Sequence, residues 1–264
     1  MSVPQLFFFD VDGTLLDNRH HRISPSTLRC LRQLQRQGQR IVISSGRDID
    51  TIATMPELAA IDWDGYICRN GSVVADRDHH ELFRAFFKPS ALCQLEALSH
   101  RLNRPILYMG YQEWSNLPPN DDFRKACTFF HRLPDQIPVR PTTDSDQVTM
   151  ALAFGDAGDD YQEYAAIDSL TVLPTRFHYA DLVIRGIDKS TGMRRLCDHL
   201  NIPMNATMAF GDGINDLQMI REAGIGVAMG QGCQAVKEVA DFITDSVDQN
   251  GIEKALQHFG LLRP

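Results

Sequence analysis

The sequence is short of basic residues and contains no long apolar run. Lys and Arg number 26 against 34 Asp and Glu, which gives a formal net charge of −8 at pH 7. Binding to nucleic acid or to an anionic membrane would need a basic patch that neutralises phosphates, so this balance argues against both partners. No apolar run approaches the roughly 20 residues of a transmembrane helix, and the N-terminus has no basic segment followed by a signal-peptide core. We therefore expect a cytoplasmic protein.

Cysteines and glycine fingerprints also lack the patterns that would indicate other classes of protein. None of the 6 cysteines has the C-x-x-C spacing of a zinc or redox site, so we expect buried thiols in a reducing compartment. Gly211-x-Gly213 and Gly224-x-Gly226 both lack the third glycine of a dinucleotide-binding fingerprint. The sequence therefore argues against a disulfide scaffold, a zinc protein and a nicotinamide enzyme.

Strand and helix patterns do alternate at both ends of the chain. An apolar run at residues 6–9 is followed by a helix that Ser24-Pro25 opens, and then by a second apolar run at residues 41–43. The alternation is interrupted in the middle of the chain and returns at Lys189. Such a pattern predicts an α/β fold in which helices cover both faces of a parallel sheet.

The middle of the chain has its own pattern. A helix is predicted at residues 89–102 and strands at residues 106–109 and 148–154, with proline-rich loops between them. A lid or substrate-binding role would explain such long loops. We predict two domains, which are a Rossmann-like core of residues 1–82 and 185–264 and an inserted α/β cap of residues 83–184.

Two carboxylates, Asp10 and Asp12, follow the first apolar run directly in front of Gly13. A buried strand that ends in acidic residues is expected to place them in a polar cavity at the carboxyl edge of the sheet, where ligands bind in α/β folds. Repulsion between the two groups lets one stay ionised while the other exchanges protons. A tight turn is the alternative, because Asp-Gly favours turns. A calcium loop is excluded, because Leu15 stands at the required glycine and His21 at the required glutamate.

Three later segments complete a recognisable set of motifs. In chain order they are Ser44-Ser45-Gly46-Arg47 after a strand, Lys189 before a helix, and Asp212-Gly213-Ile214-Asn215-Asp216 after a strand. With the first segment they resemble the four signature motifs of the haloacid-dehalogenase superfamily of phosphotransferases. Asn70-Gly71 and the stretch at residues 226–230 are similar to the Cof-like branch, whose members carry a type IIB α/β cap.

The resemblance implies roles for the acidic residues. Asp10 would be the nucleophile that forms an aspartyl-phosphate, and Asp12 the general acid and base. A magnesium ion would be held by Asp10, the backbone carbonyl of Asp12, and Asp212. Asp216 would lie behind these ligands.

The other predicted site residues would bind the phosphate or the substrate. Ser45 would donate a hydrogen bond where the family usually has threonine, with Ser44 as the alternative. Arg47 would either grip the phosphate or form a structural ion pair. Lys189 would screen the nucleophile and hold phosphoryl oxygens. The remaining expected contacts are Gly46, Val11, Asn70 and Asn215.

These residues predict a magnesium-dependent phosphatase that acts on a small phosphorylated metabolite such as a sugar phosphate. A sugar phosphomutase and a non-catalytic phosphometabolite sensor are the alternatives. A dehalogenase is disfavoured, because it needs neither the second carboxylate nor the metal. We expect a monomer or a weak homodimer, with substrate selected by the cap. His178 and Tyr179 would either contact the substrate or form a packed strand end.

Overall fold

The computed structural model describes residues 3–129, 133–156, 159–175 and 178–262. The chain divides into two compact units. The core unit comprises Met1–Phe83 and Ile187–Pro264, and the insert unit comprises Arg84–Gly186. The roles of catalytic core and substrate lid stay predictions. Among the described residues, no helix is both long and apolar enough to cross a membrane.

Strands and helices alternate along most of the described chain. The strands are β1 (Leu6–Phe9), β2 (Arg40–Ser44), β3 (Gly65–Cys68), β4 (Val73–Asp76), β5 (Glu81–Arg84), β6 (Ile106–Gly110), β7 (Glu113–Ser115), β8 (Val148–Phe154), β9 (Leu170–Pro174), β10 (Tyr179–Ile184), β11 (Thr207–Gly211), β12 (Ile225–Ala228) and β13 (Phe242–Ile243). The helices are α1 (Pro25–Arg36), α2 (Ile49–Thr54), α3 (Pro56–Ala59), α4 (Pro89–Leu102), α5 (Asp121–Phe129), α6 (Gln162–Ala165), α7 (Lys189–Leu200), α8 (Leu217–Glu222), α9 (Gln234–Val239) and α10 (Gly251–His258).

The core unit is built on an eight-stranded sheet with the order β13-β12-β11-β1-β2-β3-β4-β5. The first six strands in this order, from β13 to β3, run parallel to one another, and β4 runs antiparallel to β3. Phe9 pairs with Ile43 on one side and with Phe210 on the other, so β1, β2 and β11 end at the same level. The predicted α/β class is confirmed, and the residues that follow these three strands meet at one edge of the sheet.

Strand β1 is buried because helices cover both faces of this sheet. Phe7 and Phe9 pack into one apolar cluster, which also contains residues of α1 and α10. Leu6 and Phe8 point to the other face and pack with residues of α7. Successive side chains of a strand point in opposite directions, so four consecutive apolar residues suit a strand between two layers. Burial of each such side chain contributes about 1.5–3 kcal/mol.

The turn between β3 and β4 contains the Asn70-Gly71 pair. Both residues have positive φ, 52° and 99°, and the N–H of Ser72 donates to the carbonyl of Arg69 at 3.2 Å. This is the geometry of a type I′ turn, which favours asparagine and glycine at its centre. Strand β3 and this turn place the side chain of Asn70 at the carboxyl edge of the sheet.

The insert unit contains a five-stranded sheet of order β7-β6-β8-β10-β9, in which every strand runs antiparallel to its neighbours. Helices α4 and α6 contribute to the apolar cluster on one face, and α5 contributes to the cluster on the other. The helix predicted at residues 89–102 and the strands predicted near 106–109 and 148–154 are confirmed.

All six cysteines are free. Four are buried as expected, and burial raises the pKa of Cys30 to about 11 and that of Cys197 to about 12. Cys93 and Cys233 are exposed, so the prediction of buried thiols is wrong for these two. Cys93 lies on the outer face of α4 and Cys233 immediately before α9.

Candidate active site

Asp10 and Lys189 form the centre of the polar edge of the core sheet. Asp10 follows β1 and is 6% exposed, and Lys189 is completely buried. The Lys189 ammonium donates to Asp10 Oδ1 at 2.6 Å and to Asp216 Oδ1 at 2.5 Å. A buried lysine is tolerated only with such partners. The ammonium therefore ties the end of β1 to the loop after β11.

The start of α7 determines where Lys189 lies. Asp188 caps the helix: its Oδ1 accepts from the N–H of Thr191 at 3.0 Å, and the Thr191 hydroxyl lies 3.5 Å from the N–H of Asp188. This capping box makes Lys189 the first residue of the helix. The positive end of the helix dipole disfavours a lysine there, so the two carboxylates have to offset this cost as well as the burial.

Asp216 organises the loop after β11. Its Oδ2 accepts from the N–H groups of Asp212 and Gly213 at 2.9 and 2.8 Å, while Oδ1 accepts from Lys189. A Cβ at Gly211 would lie 2.5 Å from Asp216, so a larger residue would displace this carboxylate. With both oxygens held by donors, Asp216 orients the loop and leaves Asp212 as the carboxylate directed to the site.

The carboxylates of this edge suit a hard divalent cation. Oxygen atoms of Asp10, Asp212 and Asp216 lie within 4.8 Å of one another. Since donors occupy the oxygens of Asp216, the two carboxylates placed to share an ion are Asp10 and Asp212. The loop after β1 comes close, because a Cβ at Gly13 would lie 2.3 Å from Asp212 Oδ2, and Gly13 has φ of +92°. Magnesium prefers such an all-oxygen set, so the donors fit the predicted ion.

Charge in this cluster is unbalanced without a metal. Burial raises the pKa of Asp10 well above its ordinary value, and the charges of Asp216 and Asp212 raise it further against the pull of Lys189. Burial alone would lower the pKa of Lys189, but Asp10 and Asp216 outweigh it and hold the pKa above its usual value. The lysine therefore stays charged beside three carboxylates, and a divalent cation would offset the remaining negative charge.

Asp12 forms a two-point ion pair with Arg47. Arg47 Nε donates to Asp12 Oδ2 at 2.8 Å, and its NH2 group donates to Oδ1 at 2.7 Å. The Nδ1 of His21 lies 3.9 Å from the same Oδ1. The guanidinium thus holds both oxygens of the predicted general acid in a fixed plane. Contact between Arg47 and a phosphate stays a prediction.

Ser45 and Asn70 lie next to each other behind Arg47. Ser45 Oγ accepts from the N–H of Arg47 at 3.1 Å, and the N–H of Asn70 donates to the Ser45 carbonyl at 3.0 Å. Asn70 Oδ1 accepts from Asn215 Nδ2 at 3.0 Å. A Cβ at Gly46 would lie 3.3 Å from the Asn70 amide, so Gly46 permits this approach. The structure brings all four predicted residues together at the sheet edge.

Val11 and Ser44 differ in kind from the other predicted residues. Val11 is fully buried in the apolar cluster beneath the site, so only its backbone could contact a phosphate. Ser44 is the last residue of β2 and its hydroxyl is buried. Ser45 is also buried, but it follows β2 beside Arg47 and stays the predicted phosphate donor.

Two side chains at this edge were missed from the sequence. Gln231, on the loop after β12, contacts the Gly13 carbonyl and lies 3.4 Å from Asp212 Oδ2. Arg69 is buried and pairs with Asp48 at 2.5 Å. Because Gln231 follows a strand of the parallel sheet, the sequence could have placed it near this edge, but not its amide beside Asp212.

Residues 7–256 match the family described as haloacid dehalogenase-like hydrolase. The chain belongs to this family. The predicted membership, in its Cof-like branch with a type IIB cap, is confirmed, as is the enzyme class of phosphoric monoester hydrolase.

Curated relatives and solved structures cover almost the whole chain. The putative phosphatase YkrA of Bacillus subtilis is 29% identical, over 98% of this chain and 99% of its own. The 5-amino-6-(5-phospho-D-ribitylamino)uracil phosphatase YcsE of the same organism is 27% identical, over 97% of this chain and 96% of its own. The subclass IIB sugar phosphatase BT4131 superposes with a TM-score of 0.87 at 28% identity, over 98% of this chain and 100% of its own.

Proposed function

We propose that this haloacid dehalogenase-like hydrolase is a magnesium-dependent phosphatase that hydrolyses a small sugar or polyol phosphate through a phosphoryl group carried on Asp10. The observation that carries the proposal is the buried Asp10 carboxylate, held by Lys189 at 2.6 Å beside Asp212. The relatives support the substrate class, because YcsE acts on a phosphoribityl compound and BT4131 is a sugar phosphatase. We further propose a cytoplasmic enzyme that is a monomer or a weak homodimer.

Asp10 would act as the nucleophile. Lys189 binds its Oδ1, which leaves Oδ2 to attack phosphorus in line with the bond to the leaving oxygen. The new Oδ2–P bond forms as the P–O bond of the ester breaks. Water then attacks the same phosphorus, the Asp10–phosphate bond breaks, and inorganic phosphate leaves.

Asp12 would move the protons of both steps. It would protonate the departing alcohol oxygen and then take a proton from the attacking water. Its two-point pair with Arg47 fixes the plane of the carboxyl group, so Arg47 would orient this acid and give up a contact when the proton moves. Ser45 and Asn215 would donate to the phosphoryl oxygens.

Asp10, the backbone carbonyl of Asp12, and Asp212 would hold the magnesium ion. When bound, the ion would reduce the repulsion between the Asp10 carboxylate and the negative phosphoryl group. Residues 83–184 would choose among substrates while the core unit supplies the chemistry.

The test is phosphate release from a panel of phosphate esters, with magnesium and with a chelator. The panel contains hexose phosphates, a phosphoribityl compound, nucleotides and an aryl phosphate, and Asp10→Asn is the control protein. We expect magnesium-dependent release from sugar or polyol phosphates and none from the control. Isomerisation of a sugar phosphate that requires a bisphosphate would indicate the phosphomutase instead, and tight binding without turnover would indicate the sensor.

A further inference from the structure

The amide of Gln231 joins three loops at the metal side of the site. Its Nε2 donates to the carbonyl of Gly13 on the loop after β1, and lies 3.4 Å from Asp212 Oδ2 on the loop after β11. Its Oε1 accepts from the N–H of Val247, which follows β13, at 3.1 Å.

The partners determine which way this amide faces. The N–H of Val247 can only donate, and a carbonyl and a carboxylate can only accept, so the Gln231 oxygen must face Val247 and its nitrogen the other two. The loop after β12, which carries Gln231, also contacts the backbone of Asp212: the N–H of Cys233 donates to the Asp212 carbonyl at 2.8 Å. Asp212 is thus held at both its main chain and its side chain.

A donor is needed at this point because two acceptors come close together. The near approach of Gly13 to Asp212 Oδ2 brings a backbone carbonyl and a carboxylate to one side of the Gln231 amide. The NH₂ group has two hydrogens and can serve both acceptors at once. Without it, the Gly13 carbonyl and the Asp212 carboxylate would lie close together with no Gln231 hydrogen between them.

The geometry points to Gln231 as a positioning residue for the magnesium site. It holds the Asp212 carboxylate at a fixed angle and, through Gly13, the loop that carries the Asp12 carbonyl. The inference rests on the proposed function, because it needs a cation bound between Asp10 and Asp212. Loss of a partner that orients a metal-bound carboxylate lowers metal affinity by about 10- to 100-fold.

The test measures magnesium binding directly by isothermal titration calorimetry on the full chain without substrate. Gln231→Ala removes the amide, and Gln231→Met removes its hydrogen bonds while keeping most of its length. Both variants are expected to raise the Kd for magnesium by about 10- to 100-fold. Gln234→Ala is the matched control, because Gln234 is an exposed glutamine whose amide contacts only Glu238 among the contacts described, at 3.1 Å.

The controls separate this inference from a general loss of structure and from failure of the proposed function. Gln231 is exposed, so thermal unfolding without metal is expected to match that of the parent. Saturating magnesium is expected to restore kcat in both variants. If the Kd for magnesium of both variants, or of Gln231→Met alone, lies within twofold of the parent value, the inference is overturned while the proposed function stands. A parent that binds no magnesium overturns both.

Discussion

Replacing Lys189 by methionine is expected to destabilise the core unit strongly. The ammonium is completely buried and bridges Asp10 and Asp216. Removing one partner of a buried ion pair costs about 3–5 kcal/mol, because the remaining charge is left buried without compensation. Asp216 keeps two backbone N–H donors, so most of this cost is expected to arise at Asp10.

A second substitution tests that explanation. Asp10→Asn removes the uncompensated charge, so the double variant Lys189→Met/Asp10→Asn is expected to recover about 2 kcal/mol relative to the sum of the single changes. Lower pH is expected to have the same effect. When the pKa of a buried carboxyl group is raised in the folded state, the folded protein loses stability as pH rises and the group ionises. The folded protein regains this stability as pH falls and the group takes up its proton. The deficit of Lys189→Met should therefore shrink as pH falls from neutrality and be smallest at about pH 4, near the pKa of aspartate in the unfolded chain.

Urea unfolding followed by tryptophan fluorescence can measure the core unit alone. The chain has two tryptophans, both buried, with Trp63 in the core unit and Trp114 in the insert unit. In a Trp114→Phe background the remaining signal reports on Trp63. A loss below about 1 kcal/mol for Lys189→Met, or no recovery in the double variant, would refute the charge balance described here.

Three further predictions address the chemistry and the insert unit. Asp12→Asn is expected to slow turnover of alkyl phosphates by about 10²- to 10⁴-fold and of aryl phosphates less, because aryl leaving groups need little protonation; equal losses in steady-state assays would argue that Asp12 only shapes the metal site. Asp212→Ala is expected to raise the magnesium requirement steeply, and activity that survives a chelator in the parent would contradict the two-carboxylate site. His178→Ala is expected to change discrimination between two sugar phosphates by about 10- to 200-fold while sparing a minimal aryl phosphate; unchanged relative rates across such substitutions in residues 83–184 would move specificity to the core unit.

The site could be predicted from the sequence because of how parallel strands end. Once β1, β2 and β11 are assigned to one sheet, their register puts Asp10, Ser45 and Asp212 at the same edge without further information. Lys189 could be assigned to the site only from the order of the motifs, because a lysine at the start of a helix is not otherwise expected to be buried against a carboxylate. The prediction of the site therefore depended on the residue types, on their positions relative to strand ends and on the order of the motifs.

Contacts that depend on the direction of a side chain could not be predicted. The pair between Arg47 and Asp12 joins loops after two different strands, and the sequence allowed a phosphate contact equally well. Gln231 reaches Asp212 from a third loop, and no spacing rule fixes that distance. In the insert unit, the order of the antiparallel strands was missed, because strand and helix alternation does not determine antiparallel pairing. Helix α5 was missed as well.

The central claim is that Asp10 carries the phosphoryl group, and acid quenching of the enzyme during turnover tests it most directly. Parent enzyme, magnesium and a substrate from the panel are mixed and quenched, and proteolytic peptides are analysed by mass spectrometry. We predict one phosphoryl group on the peptide that contains Asp10. With the aryl phosphate, whose leaving group needs little protonation, the amount is expected to be larger in Asp12→Asn, because only the attack of water is then slowed. Phosphate release by the parent with no label on that peptide, together with an Asp10→Asn variant within tenfold of the parent rate, would contradict the account.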